Sequence, residues 1–292
     1  MLEIREVSWS AYEKILREMG ERRNTRLAYS NEIIFMASPF PEHEFSKICI
    51  SECVKVIFDE LEMDYTSYGS ITLKDERMQK AVEPDDCFYL DYADGMADKL
   101  RIDLQIDPPP ELVLEVNLAS KTQLEVYQAL GVPELWRYEG GQLRIDALQG
   151  GRYVEQEKSP LLPGWPIKEA VEVYIKKART TNQRKAKQNF RQWVIARIKR
   201  LQEEYAQALK ALEADDQAVD ASIAGDQGLD DQGLDNQVAE DQGMNGQGVN
   251  DPAMDNQVAD ALMEFFQYSE HSDSTTAVHE SIQPYTSAKS FT

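Results

Sequence analysis

The chain has 292 residues and a formal net charge of −21. It contains no apolar run close to the roughly 18–20 residues of a membrane-spanning helix, and its charged beginning does not resemble a signal peptide. Its three cysteines are too few for the disulfide framework of a small secreted protein, so we expect a cytoplasmic protein without membrane association.

The first part of the chain is predicted to alternate helices with short strands. Apolar spacing predicts a short helix over residues 10–19 that ends at Gly20, and a long amphipathic helix from His43 to about Leu61. Alternating or continuous apolar runs between turn residues predict strands at 26–29, 32–36, 65–68, 70–73, 87–90 and 112–116.

A helix and a meander of strands are predicted next. The helix covers residues 124–130 and is closed by Gly131, a residue type typical of helix C-termini. The paired glycines at 140–141 and 150–151 mark the turns of the meander, whose strands are predicted at 134–138, 142–148 and 152–155. Strands that alternate with helices and then form hairpins predict an α/β domain over residues 1–178, built on a mixed β-sheet flanked by helices.

A basic segment follows this domain. Residues 176–200 contain ten lysines and arginines and no acid, and apolar residues at three-to-four spacing predict one long helix over 179–214. Three interpretations stay open: the helix packs on the domain through Phe190 and Val194, it contacts a DNA backbone, or it forms a coiled-coil arm of a homodimer. The DNA contacts would come from Lys185, Lys187 and Arg191.

The remaining residues, 215–292, form an acidic tail of low complexity. From Glu213 onward there are seventeen acids and one base, which leaves a net charge of −5 for the first 212 residues. Residues 226–260 form a degenerate repeat of five residues with one small apolar residue in each unit, too few to build a core. We expect a disordered tail that is dispensable for the fold and that restrains nucleic-acid binding at low salt by folding back on the basic helix.

Two acids beside predicted strands are the most informative residues of the chain. Asp85 precedes the apolar run that begins at Cys87, and Glu115 lies inside the run 112–116. An unpaired carboxylate is costly to bury, so an acid in the middle of a buried strand calls for a partner. Two such acids on neighbouring strands would form an oxygen-rich site of the kind that holds Mg²⁺.

Three motifs in a fixed order resemble those of the Uma-type restriction endonuclease family, which belongs to the PD-(D/E)XK nuclease superfamily and is abundant in cyanobacteria. They are Glu83-Pro84-Asp85, then Glu111-Leu112-Val113-Leu114-Glu115-Val116, then Gly131-Val132-Pro133-Glu134-Leu135-Trp136. The resemblance covers roughly residues 5–195 and does not extend to the tail. It implies a restriction-endonuclease-like fold, hydrolysis of phosphodiester bonds of DNA, Mg²⁺ or Mn²⁺ as the cofactor, and no organic cofactor.

Carried over residue by residue, the resemblance implies that Asp85 and Glu115 bind the metal together with the carbonyl of Val116. The lysine of the parent motif is replaced by Asn117, and the later position at which this family places it is Gln123. The nearest lysine is Lys121, which we therefore predict to be the catalytic cation, acting on the attacking water and the scissile phosphate. His43 and Glu44 are candidate accessory groups, as are Asn117 and Gln123.

Two alternatives remain at this point. Asp85 follows a proline and is also a common turn residue, and Glu115 could be paired with Arg101 or Lys99 in a buried ion pair. The chain could also be a catalytically inactive nuclease fold that serves as a nucleic-acid-binding or protein-binding regulatory module. The position of a lysine near the carboxylates would discriminate between the two functions.

Overall fold

A computed structural model describes residues 2–20, 23–38, 40–118 and 121–226; Lys121 and residues 212–226 are described by their backbone only. The strands of this part are β1 (Leu2–Ile4), β2 (Arg26–Ser30), β3 (Ile33–Ala37), β4 (Thr66–Ser67), β5 (Leu73–Asp75), β6 (Lys80–Val82), β7 (Asp86–Tyr89), β8 (Leu112–Val116), β9 (Glu134–Glu139), β10 (Gln142–Gln149) and β11 (Arg152–Gln156). The helices are α1 (Trp9–Met19), α2 (Pro41–Glu60), α3 (Ala93–Met96), α4 (Lys121–Leu130), α5 (Ile167–Thr180) and α6 (Gln183–Asp226).

The strands form two sheets. The first is antiparallel with the order β1-β3-β2-β6-β5, and the second has the order β11-β10-β9-β8-β7-β4. The second sheet is mixed, because β8 and β9 run parallel and are joined through α4, whereas its other neighbours are antiparallel. The predicted mixed α/β class is therefore confirmed, with two sheets in place of the single sheet that was expected.

Local sequence explains where the main helices begin and end. Ser8 caps α1 by accepting a hydrogen bond from the backbone N–H of Ala11, and α2 begins with Pro41 at a position where proline is favoured. Gly131 ends α4 in a left-handed conformation with φ of 77°, as its position after the apolar run predicted.

Two apolar layers cover the faces of the second sheet. One face packs against α2, α5 and α6, with Phe58, Trp136, Trp165 and Val194 among the buried side chains. The other face packs against residues of the first sheet and of α4. A smaller cluster of Trp9, Tyr12 and Tyr29 fixes α1 on the first sheet. Among the described helices, none is long and apolar enough to cross a membrane.

The C-terminal helical region differs from the prediction of one helix over residues 179–214. The predicted boundary at residue 178 falls inside α5, and the chain turns at Thr181 before α6 begins at Gln183. Phe190, Val194 and Leu201 of α6 are buried against α2, α5 and the second sheet, which supports the interpretation that this helix packs on the domain. The tail after Asp226, including most of the repeat, lies outside the described residues.

Replacing Val194 by alanine is expected to lower the free energy of unfolding by about 2 kcal/mol, because two methyl groups leave a close-packed site. Val194 is fully buried, whereas the next residue, Ile195, is 43% exposed. Chemical denaturation of the two alanine variants measures the difference, and Ile195→Ala is the matched control with an expected change below about 0.5 kcal/mol. Equal effects of the two variants would show that the buried face of α6 has been assigned wrongly.

Candidate metal centre and active site

The two candidate metal ligands come from the same end of two neighbouring strands. β7 and β8 are antiparallel, and their register pairs Asp86 with Leu114, so Asp85, just before β7, and Glu115 in β8 both lie next to this pair. The backbone N–H of Asp85 donates to the carbonyl of Leu114 at 3.1 Å. Asp85 is fully buried and Glu115 is 6% exposed. The two buried acids therefore start from neighbouring backbone positions at one end of the β7–β8 pair.

Asp85 makes contacts from three directions. The backbone N–H of Val116 donates to its Oδ2 atom at 2.6 Å, and Nε2 of His43 lies 3.2 Å from the same oxygen. Its second oxygen, Oδ1, forms an ion pair with Arg26 of β2. Asp85 is therefore linked to β8, to α2 and to β2.

Glu115 is held by a different set of groups. It accepts a hydrogen bond from the hydroxyl of Tyr127 on α4. Burial raises the pKa of Glu115 to about 7, and the Tyr127 hydrogen bond and the charges of Arg26 and Lys47 oppose this rise. Arg26 is therefore ion-paired with Asp85, and its charge also acts on Glu115.

The first two turns of α2 form the wall of the site that faces these carboxylates. Glu44 lies 3.0 Å from Arg26 and 3.7 Å from Lys47, so it links the two cations. Burial and the charge of Arg26 lower the pKa of His43, which favours a neutral imidazole near neutral pH. Burial and the same arginine also lower the pKa of Lys47.

The backbone conformation helps to explain why Asn117 stands where the parent motif has a lysine. Asn117 has a left-handed φ of 53°, a conformation that asparagine tolerates far better than most residues with long side chains. It is exposed, and its backbone N–H donates to the carbonyl of Tyr138. Gln123 lies in the first turn of α4. Lys121 begins that helix, but its side chain lies outside the described part of the structure.

Arg26 and Lys47 are the site residues that sequence reasoning missed. Lys47 follows His43 by four residues in a predicted helix, so both lie on the same helix face, and this spacing could have identified Lys47 as a neighbour of the site. No sequence pattern identified Arg26, because β2 belongs to the other sheet and comes close to Asp85 only through tertiary packing. Lys99, one of the two partners considered for Glu115, instead pairs with Asp107 at 2.7 Å, and Glu115 accepts a hydrogen bond from Tyr127.

Two of the three residues predicted to contact nucleic acid on the basic helix are ion-paired with acids of the domain. Lys187 lies 3.6 Å from Glu52, and Arg191 lies 2.7 Å from Glu60. Both acids belong to α2, so these ion pairs join α6 to α2. Lys185 is exposed, and its backbone N–H is capped by the side chain of Asn182.

A divalent cation fits the donor set at the centre of this site. No group of three or more His, Cys, Asp and Glu side chains suited to a metal occurs among the described residues. Mg²⁺ does not need one, because it is commonly held by one or two carboxylates, with water and substrate oxygens completing its shell. Asp85, Glu115 and the carbonyl of Val116 supply such a set, and Arg26 competes with the cation for Asp85.

Comparison with known proteins gives a family and a structural neighbour. A family model, Uma2, with the description "Putative restriction endonuclease", matches residues 9–180, more than half of the chain. A solved structure titled as a "putative nuclease belonging to DUF820 from Anabaena variabilis" is similar at 12% sequence identity and a TM-score of 0.39, with 56% of this chain and 92% of that chain covered. No curated protein matches the chain.

Proposed function

Because the chain belongs to the Uma2 family of restriction-endonuclease-like proteins, we propose that it is a Mg²⁺-dependent endonuclease that hydrolyses phosphodiester bonds of DNA. The observation that supports the proposal is a pair of buried acids, Asp85 and Glu115, at one end of the β7–β8 pair, with Arg26 ion-paired to Asp85. Burying a carboxylate in an apolar sheet destabilises the fold unless the charge is compensated, and such costly groups are concentrated at functional sites. Binding of a catalytic cation would explain why both acids are retained here.

The residues divide the chemistry among them. Asp85, Glu115 and the carbonyl of Val116 would hold the cation, which when bound stabilises charge on the scissile phosphate and activates the attacking water. His43, whose pKa is lowered by burial, lies 3.2 Å from Asp85 and would keep this oxygen ligand in position. Glu44 holds Arg26 and Lys47 at the edge of the site, where positive charge favours the approach of a phosphate.

The direct test is a cleavage assay of the purified full-length chain on plasmid and linear DNA, with Mg²⁺, with Mn²⁺ and with EDTA. Cleavage that requires the metal supports the proposal. Absence of cleavage under every metal would favour the second candidate function, an inactive nuclease fold that only binds nucleic acid. The specific observation in favour of that alternative is the ion pair of Arg26 with Asp85, which neutralises a ligand without any metal.

Lys47→Ala is expected to slow cleavage by about 100-fold. The positive charge of Lys47 acts on Glu115, so its ammonium group can also stabilise negative charge on a phosphate bound beside that residue. Lys121→Ala is the comparison variant, since Lys121 is the cation that the sequence predicted. Initial cleavage rates at saturating Mg²⁺ measure both. A loss confined to Lys121→Ala would return the catalytic role to Lys121 and leave Lys47 as a structural partner of Glu44.

A further inference from the structure

A large cleft leads to the candidate site. Its volume is about 1120 Å³, and its walls come from α1, the start of α2, and the segments around residues 70–74 and 100–102. Arg26, Glu44 and Lys47 line this cleft and also belong to the group around Asp85 and Glu115. An occupant that reaches these three residues therefore comes close to the group around the two carboxylates.

The cleft is positively charged in a chain that is strongly negative overall. Its basic side chains are Arg17, Arg23, Arg26, Lys47, Lys74 and Arg101, and its acids are Glu13, Glu44 and Glu83. Each acid is already paired with a basic side chain of the cleft: Glu13 with Lys74, Glu44 with Arg26 and Glu83 with Arg23. Arg17 is exposed and forms no ion pair within the described residues. The surplus of positive charge favours an anionic polymer as the occupant.

An exposed aromatic ring stands among these charges. Phe40, the residue before α2, is 77% exposed and lines the cleft, and Leu100 on the opposite wall is 93% exposed. A single exposed apolar residue is ordinary on a protein surface. An exposed aromatic beside a positively charged groove is the combination by which proteins hold unpaired bases, because the ring stacks on a base face while the cations hold the phosphates.

We propose that this cleft binds a single strand of DNA, with a base stacked on Phe40 and phosphates held by Arg17 and Lys47. In a duplex each base is covered by its neighbours, so Phe40 can stack only on a base that is unpaired or has left the helix. The inference rests on the proposed function, whose substrate it narrows to single-stranded or locally opened DNA. In this proposal the DNA-binding surface is the cleft and not the basic face of α6.

Fluorescence anisotropy of the full-length protein in EDTA tests the proposal without any cleavage. The probe is a fluorescein-labelled single strand, compared with the same strand annealed to its complement. We expect tighter binding of the single strand, and a loss of about 5- to 100-fold in Phe40→Ala, the range of one base–aromatic stack. Phe40→Trp should retain binding. Tyr92→Ala removes an aromatic that is 54% exposed and does not line the cleft, and it should bind as the wild type does.

The charge component is tested by salt dependence. Arg17→Gln is expected to reduce the slope of log affinity against log salt concentration by about 0.7, the value of one phosphate contact with a single strand. Arg200→Gln, an exposed arginine of α6, is the matched control and should leave the slope unchanged. Equal or tighter binding of the duplex, or unchanged binding by Phe40→Ala, would overturn the proposal.

The same measurements separate this inference from the proposed function. A protein that binds the single strand through Phe40 but cleaves no DNA with any metal supports the cleft assignment and refutes the nuclease. A protein that cleaves duplex DNA equally well with and without the Phe40 side chain supports the nuclease and refutes the cleft assignment.

Discussion

Asp85→Asn is expected to reduce metal-dependent cleavage by more than about 1000-fold while the protein stays folded. The substitution keeps the size of the side chain and its ability to accept the hydrogen bond from Val116, but it removes the charge that a divalent cation needs. Stabilisation of transition-state charge by a metal is worth several kcal/mol, and about 1.4 kcal/mol corresponds to a factor of ten in rate. Cleavage rates at saturating Mg²⁺ and calorimetric titration with Mn²⁺ measure the two losses.

Asp107→Asn provides the matched control for this experiment. Asp107 is also a buried acid with a basic partner, Lys99, but it lies outside the group around Glu115. Its amide variant should lose some stability and keep metal-dependent cleavage. If Asp85→Asn cleaves DNA at the rate of the control, Asp85 holds Val116 and Arg26 for structural reasons only, and the proposed metal centre is wrong.

Glu115→Gln is expected to stabilise the metal-free protein above pH 7 and to abolish cleavage. The pKa of Glu115 is about 7 in the folded chain against 4.5 for an ordinary glutamate, so the folded state binds this proton more tightly than the unfolded state. The folded state therefore loses stability as pH rises from about 4.5 to about 7, by up to about 3 kcal/mol in total. Glutamine removes this cost and still accepts the hydrogen bond from Tyr127.

Chemical denaturation in EDTA at two pH values measures the effect. About one unit above the pKa of Glu115 the variant should be more stable than the wild type by about 3 kcal/mol, and about three units below that pKa the difference should nearly vanish. The low-pH measurement is the internal control, because Glu115 is then neutral in both the folded and the unfolded protein. A variant that is less stable at both pH values would show that Glu115 contributes to folding as a charged group.

Much of the fold could be predicted because the signals were local. The helix over 43–61 and the meander after residue 134 follow from apolar spacing and paired glycines, and the structure confirms both with shifts of a few residues. β1 and β6 were missed because three residues are too few to show a period. The division into two sheets was missed because strand partners are set by tertiary packing.

The residues of the candidate site likewise fall into those that local sequence could predict and those that it could not. The family predicted from three ordered motifs is confirmed. Asp85 and Glu115 could be singled out because an acid beside an apolar strand is conspicuous, and both are buried at one end of the β7–β8 pair. The cations were harder to predict: Lys47 shares a helix face with His43, but Arg26 reaches Asp85 from β2 of the other sheet, and no spacing along the chain encodes that approach. Neither the cleft nor the exposure of Phe40 has any signature in the sequence.

The length of α6 determines where the acidic tail is tethered. The helix has 44 residues, which at 1.5 Å per residue span about 66 Å. Leu201 is the last buried residue among those whose side chains are described, so the helix continues for about 37 Å beyond it. A compact domain of this size has a radius of gyration of about 16 Å. The point at which the rest of the tail is attached therefore lies up to about 37 Å along the helix from its last buried side chain, and any effect of the tail on the cleft must act across that distance.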